Sequence, residues 1–116
     1  GYYKVRRRWS REIPLHVRAM VLADDRLFVA GPPDLIDELN TDRIINAEMT
    51  RRRLRQQEAA WHGREGGLLW ALNSDGGKLT EYKLSCPPAW DGMLAIAGRL
   101  YIAMQDGSIV CLDGDG

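Results

Sequence analysis

The chain has 116 residues, 45% of them hydrophobic, with 16 basic and 16 acidic side chains. A chain of this length forms one domain at most, and its zero net charge argues against binding nucleic acid or an anionic membrane through bulk charge. No apolar run reaches the roughly 18 residues of a membrane span, and Gly1-Tyr2-Tyr3-Lys4 lacks the apolar core of a signal peptide.

The first part of the chain predicts four β-strands. Alignment of residues 5–31 and 67–76 on the second part of the chain, where the strand signals are clearer, places these strands at residues 5–11, 18–23, 26–30 and 68–73. Asp24-Asp25 forms the turn between the second and third of these strands.

A long insertion separates the third strand from the fourth. Pro32-Pro33 ends the strand, Thr41 or Asp42 is a candidate helix cap, and apolar residues recur at helical spacing up to Leu54. These signals predict a helix over residues 41–61. Exposed residues of this helix form a candidate interaction surface: Arg51, Arg52, Arg55 and Trp61. The alternative is that the arginines simply form a solvated helix face.

The second part of the chain predicts four more strands, over residues 78–84, 93–97, 99–104 and 108–112. Ala97-Gly98 and Gln105-Asp106-Gly107 provide tight turns between them. Short turns of this kind favour an antiparallel meander.

An internal repeat relates the two parts of the chain. Residues 5–31 align without a gap on residues 78–104, an offset of 73, and residues 67–76 align on residues 107–116, an offset of 40. The repeat predicts one supersecondary unit used twice. The fold class is therefore all-β with two four-stranded units, the first formed by residues 5–31 and 67–76 and the second by residues 78–113. One helical insertion covers residues 32–66.

Two stretches resemble the repeat of β-propellers related to pyrroloquinoline quinone (PQQ) enzymes. They read Leu69-Trp70-Ala71-Leu72-Asn73-Ser74-Asp75-Gly76-Gly77-Lys78-Leu79 and Asp106-Gly107-Ser108-Ile109-Val110-Cys111-Leu112-Asp113. The longer stretch over residues 63–92 resembles the final blades of large bacterial proteins that carry this repeat. The resemblance implies two blades of a partial propeller, completed by further blades or by copies of the chain into a ring of about six to eight blades. It also implies an extracytoplasmic location.

Aromatic residues at the predicted blade junctions are candidates for packing one blade on the next. They are Trp9, Trp70, Tyr82, Trp90 and Tyr101. Repeats of this family often carry a tryptophan after the glycine-lysine turn, where this chain has Tyr82. Trp90 is expected to pack in the core, so its replacement by alanine should cost about 3–5 kcal/mol through cavity formation.

The sequence offers no strong catalytic or metal-binding pattern. His16 and His62 have no nearby nucleophile with an acidic orienting residue, and the turn aspartates lack the spacing of a calcium-binding loop. Cys86 and Cys111 lack metal-ligand spacing and are read as buried free thiols, with a disulfide as the alternative. No residue is assigned to a quinone or another cofactor. The Arg6-Arg7-Arg8 run beside Trp9 suggests either phosphate binding or, as we favour, a solvated strand face.

The leading expectation is a non-catalytic scaffold or interaction module that binds a protein partner or further propeller blades, including copies of itself. One alternative is a fragment of a quinone-dependent dehydrogenase. The other is a carbohydrate- or polymer-binding propeller of an exported bacterial protein, for which Trp61 is the residue to test. Fold resemblance alone does not decide among them.

Overall fold

A computed structural model of the chain describes residues 4–35 and 47–113. These residues form seven strands and one helix: β1 (Ala19–Ala23), β2 (Arg26–Gly31), α1 (Ala47–Trp61), β3 (Gly67–Leu72), β4 (Lys78–Leu84), β5 (Pro88–Ile96), β6 (Arg99–Met104) and β7 (Ile109–Asp113). The predicted β-rich architecture with an inserted helix is confirmed. The predicted helix residues 41–46 lie outside the described part of the chain.

The strands form two antiparallel sheets in which each strand pairs with its neighbours in sequence. The first sheet has the order β1-β2-β3-β4 and the second has the order β5-β6-β7. The second sheet therefore has three strands among the described residues, where the sequence predicted four. At the β5–β6 turn, Ala97 and Gly98 both have positive φ, of 51° and 77°, as a tight two-residue hairpin turn requires.

The predicted grouping of strands was wrong at one point. Residues 78–84, expected to open the second unit, form β4 and pair with β3, for example Leu69 with Tyr82 and Gly67 with Leu84. The short Ser74-Asp75-Gly76-Gly77 turn explains this, because it folds β4 back against β3 as a hairpin. The Asn73 side chain stabilises the turn by accepting hydrogen bonds from the backbone of Asp75 and Gly77 at 2.9 and 2.8 Å.

The strand predicted at residues 5–11 is not formed. No ladder includes these residues, and the first element after them is an isolated bridge between Leu15 and Pro33. In the repeat, residues 5–11 correspond to β4, which is held by its pairing with β3. Residues 5–11 have no equivalent neighbour among the described residues, and four of the seven are arginines, so alignment with a strand does not make them one.

The two sheets pack face to face. One apolar core joins Ala30, Leu69 and Leu84 of the first sheet to Leu100, Ile102 and Met104 of the second. A smaller core covers part of the opposite, outer face of the first sheet. It contains Leu15, Val29, Trp70 and Leu72, with Ile13, Leu27 and Leu68 at its margin. Both faces of the first sheet are thus at least partly covered, which accounts for its continuous apolar strand β3.

The helix is anchored by one buried amide. The Gln57 side chain is only 1% exposed. Its Nε2 donates to the Pro33 carbonyl at 3.0 Å, and its Oε1 accepts from the Leu35 backbone N–H at 2.6 Å. Ala60, also buried, lies one turn further along. These contacts fix the carboxyl end of α1 beside the chain that leaves β2.

Candidate interaction surfaces

A groove lined mainly by aromatic and apolar groups lies where the helix meets the two sheets. Its walls are His16, Arg18, Pro32, Trp61 and Trp90, and its volume is about 340 Å³. The sequence predicted Trp61 as an interaction residue but gave no sign that the other four join it. The five residues come from four separate segments of the chain, so only the fold brings them together. We call these five residues the aromatic groove.

Arg18 contacts residues on both sides of the aromatic groove. Its guanidinium carbon lies 5.5 Å from the centroid of the Trp90 ring, a cation–π distance. Its Nη2 donates to the Trp61 carbonyl oxygen and its Nη1 donates to Gln105 Oε1 at 3.2 Å. Its backbone carbonyl accepts from the Asp91 N–H at 3.0 Å. One residue therefore links helix, first sheet and second sheet.

His16 positions Trp61 from the other side. The two rings meet edge to face, with centroids 5.6 Å apart and planes at 78°, a favourable aromatic geometry. His16 Nε2 lies 3.4 Å from Asp34 Oδ1. Trp61 remains 48% exposed. The ring is therefore held in place while part of its surface stays open to a ligand.

Trp90 is not a core residue, and the expectation that it is packed in the core was wrong. Its side chain is 74% exposed. The register of β5 against β6 shifts between Pro88 and Met93, and Asp91 within this irregularity has a positive φ of 55°. Such a bulge bends the strand and re-aims its side chains. Trp90 consequently stands on the groove wall.

The other predicted packing aromatics have mixed outcomes. Trp70 is buried at 7% exposure and belongs to the outer core of the first sheet. Trp9 packs against Gly76 and donates from Nε1 to the Ser74 carbonyl at 2.9 Å. Tyr82 is half-exposed, because it lies near the outer edge of the first sheet, and Tyr101 is half-buried on β6. Of the five, only Trp70 is fully packed within the described chain.

The helix arginines do not join Trp61 in one site. Arg51, Arg52 and Arg55 are all exposed. Arg55 lines a second, more polar depression with Glu58, Ala59, His62 and Arg64, whereas Trp61 faces the aromatic groove. The four predicted interaction residues therefore do not form one surface: Trp61 and Arg55 line separate depressions, and Arg51 and Arg52 line neither of the two.

Each sheet also exposes apolar side chains on its outer face. Met20 and Leu22 of β1 are exposed on the first sheet. On the second sheet, the face turned away from the first carries the exposed residues Leu94, Ile96 and Ile109, alternating with core residues such as Met93 and Val110. Contiguous exposed apolar residues of this kind mark interaction sites.

Three exposed charged groups have shifted pKa values. A hydrogen bond from Lys78 lowers the pKa of Glu81, and hydrogen bonds from the side chain and backbone of Ser108 lower the pKa of Asp106. Contact with Tyr101 and with Asp113 raises the pKa of Arg99. None of the three lines the aromatic groove, and each contributes to local structure on a turn or strand surface.

The cysteines and the metal-binding side chains among the described residues form no further site. The described residues contain no group of three or more histidine, cysteine or acidic side chains placed to hold a metal ion. Cys86 and Cys111 are free thiols, but Cys111 is exposed, contrary to the expectation that both are buried. Among the described helices, none is both long and apolar enough to cross a membrane.

Comparison with known proteins adds no relative. No protein-family model, no curated protein and no solved structure matches the chain.

Proposed function

We propose that the chain is a non-catalytic β-propeller scaffold and interaction module, two blades of a larger or self-assembled PQQ-like propeller. Sequential four- and three-stranded antiparallel sheets that stack face to face support this proposal. So does the proximity of the first strands of the two sheets, β1 and β5, because in a propeller the first strand of each blade lines a shared centre.

One observation carries the proposal: the outer face of the second sheet repeats the inner face of the first. The first sheet packs on the second through Val21, Phe28 and Leu69. The repeat offsets of 73 and 40 place these residues on Leu94, Tyr101 and Ile109. Leu94 and Ile109 are exposed, Tyr101 is half-buried, and all three point away from the first sheet. The solvent-exposed face of the second sheet is therefore equivalent, through the repeat, to the face by which the first sheet packs on the second.

The reverse equivalence also holds. Met93, Leu100 and Ile102 of the second sheet pack on the first sheet, and the offset of 73 places them on Met20, Leu27 and Val29. These three residues lie on the outer face of the first sheet. Each outer face thus has the composition needed to bind the other, a head-to-tail arrangement that stacks units of the same repeat.

The experiment that tests this role is a charge placed on the outer face of the second sheet. We expect Leu94→Asp to weaken self-association of the chain at least about tenfold, measured by sedimentation equilibrium. Leu54→Asp is the matched control, because Leu54 on α1 is 54% exposed and Leu94 is 53% exposed. Equal effects of the two substitutions would show that the sheet face is not a docking surface.

The aromatic groove favours a second candidate function, binding of a carbohydrate or related polymer. Two exposed tryptophan rings, Trp61 and Trp90, line one groove, and the faces of such rings stack on sugar rings through apolar contact. Arg18 and His16 supply hydrogen-bond donors beside them. This function is compatible with the scaffold role, because the residues that line the groove are not those that the two outer sheet faces present.

A further inference from the structure

Strand β7 presents an open edge. In the described part of the chain β7 pairs only with β6, so one side of its backbone meets no strand. Its repeat equivalent β3 pairs on both sides, with β2 and with β4. Unpaired backbone N–H and C=O groups on a sheet edge are a template for a further strand. The edge of β7 is therefore the position at which a fourth strand would be added.

The segment that corresponds to β4 is already present in the chain. The offset of 73 places residues 5–11 on β4, with Trp9 on Tyr82 and Arg11 on Leu84. We call residues 5–11 the amino-terminal segment. It aligns with a strand but has no ladder partner among the described residues. Within residues 4–35 and 47–113, the second sheet therefore has three strands, and the amino-terminal segment that aligns with β4 belongs to no sheet.

Side-chain contacts place the amino-terminal segment against the outer face of the first sheet. Leu84 of β4 packs into the core against the second sheet. Its equivalent Arg11 lies over the Trp70 ring, 5.3 Å from the centroid, and donates to the Gly76 carbonyl at 3.0 Å. Trp9 donates to Ser74 in the same turn. The amino-terminal segment therefore contacts the outer face of the first sheet at Trp70 and the turn at Ser74 and Gly76.

One copy of the chain does not bring the two parts together. The amino-terminal segment lies on the outer face of the first sheet, beside Trp70. The second sheet, with β7, packs on the opposite face, where Val110 and Leu112 meet the shared core. The first sheet stands between the segment and the open edge.

We infer that the amino-terminal segment of one copy adds to β7 of a second copy as the antiparallel fourth strand of its second sheet. The inference rests on the proposed scaffold role and specifies its partner and its contact. The register follows from β3 and β4, where Leu69 pairs with Tyr82 and Ala71 with Thr80. The repeat converts these pairs into Ile109 with Trp9 and Cys111 with Arg7. Because the amino-terminal segment and the β7 edge are different surfaces of each copy, copies that pair in this way join head to tail.

Disulfide trapping between Cys111 and residue 7 tests this register. Directly opposed residues on antiparallel strands have Cβ atoms about 4.5–5.5 Å apart, close to the separation in a disulfide. One chain carries Arg7→Cys with Cys86→Ser and Cys111→Ser, and the other carries Cys86→Ser alone and keeps Cys111. Arg7 is exposed, so the substitution leaves the core untouched, and far-UV circular dichroism verifies folding.

After oxidation of an equimolar mixture, we expect the mixed disulfide dimer, at twice 13.1 kDa, to exceed either homodimer at least about tenfold by intact mass spectrometry. Arg6→Cys in place of Arg7→Cys is the control, because residue 6 lies one position out of register and points to the other face. Equal yields at the two positions, or no mixed dimer from folded chains, would overturn the inference. If Leu94→Asp still weakens association in that case, the scaffold role stands and only the strand addition is wrong.

Discussion

Arg18 lies over the exposed ring of Trp90 and joins the start of the first sheet to the bulge of the second, with 5.5 Å between the guanidinium carbon and the ring centroid. The same side chain binds the carboxyl end of the helix through the Trp61 carbonyl. The junction of the three parts of the molecule is thus made by a few polar and aromatic contacts on the surface, whereas the sheets are joined by an apolar core.

The contact between Arg18 and Trp90 predicts a measurable coupling. Exposed cation–π pairs contribute about 0.5–1 kcal/mol. We expect a double-mutant cycle of Arg18→Ala and Trp90→Ala, measured by urea denaturation, to give a coupling free energy in this range. Additive losses would show that the two side chains do not stabilise each other.

Trp90 and Trp70 should differ sharply in their contributions to stability. Trp90 is 74% exposed and Trp70 is 7% exposed. We therefore expect Trp90→Ala to lower the free energy of unfolding by less than about 1 kcal/mol, and Trp70→Ala to lower it by about 3–5 kcal/mol through cavity formation. Denaturation midpoints report both. A loss at Trp90 as large as that at Trp70 would contradict the exposed position of Trp90.

Gln57 should be the main polar anchor of the helix. Gln57→Ala leaves the Leu35 N–H and the Pro33 carbonyl without their partner, and an unsatisfied buried group costs about 1–3 kcal/mol. Gln56→Ala is the natural control, because Gln56 is exposed on the same helix. We expect the loss of unfolding free energy at position 57 only, and comparable losses at both positions would refute the anchoring role.

The Asp106 turn should titrate below its ordinary range. Hydrogen bonds from Ser108 to the carboxylate lower its pKa from the ordinary value of 3.8. A lowered folded-state pKa stabilises the fold above the ordinary value, and this contribution is lost as the pH falls below 3.8 through the lowered pKa. We expect Ser108→Ala to raise the pKa of Asp106 in an NMR titration. An unchanged pKa would show that the hydroxyl contributes nothing.

The aromatic groove should report ligand binding through its own tryptophans. We expect neutral and acidic oligosaccharides to change the intrinsic fluorescence of the chain, and Trp61→Ala and Trp90→Ala each to weaken binding by about tenfold or more. Trp9→Ala serves as the control, because Trp9 lies at the Gly76 turn outside the groove. Equal weakening by Trp9→Ala, or no fluorescence change with any oligosaccharide, would remove the carbohydrate candidate.

Much of the fold can be predicted from the sequence because the strand signals are local. The alternation of β6, from Arg99 to Met104, matches its alternating burial, and the Ala97-Gly98 turn fixes its partner β5. What the sequence left undecided is which sheet a strand joins. Lys78–Leu84 is mostly polar and exposed, so its side chains do not distinguish pairing with β3 from membership of the second sheet.

The candidate site was harder to predict than the fold. The aromatic groove depends on the bulge near Asp91, which turns Trp90 outward, and on the docking of α1, which brings Trp61 to His16. Neither leaves a periodic signal in the sequence. The repeat is readable without this local detail. Once the strand registers of the first sheet are known, the repeat offsets match each residue of the second sheet with a residue of the first sheet whose contacts are known.

The most direct test of the account is the absolute mass of the unmodified chain in solution, measured by light scattering after gel filtration over a range of concentrations. Stacking of outer faces predicts a species of several copies. Three or four times 13.1 kDa would correspond to the about six to eight blades of a closed ring. A folded chain that stays at 13.1 kDa at every concentration would contradict the claim that its outer faces bind one another.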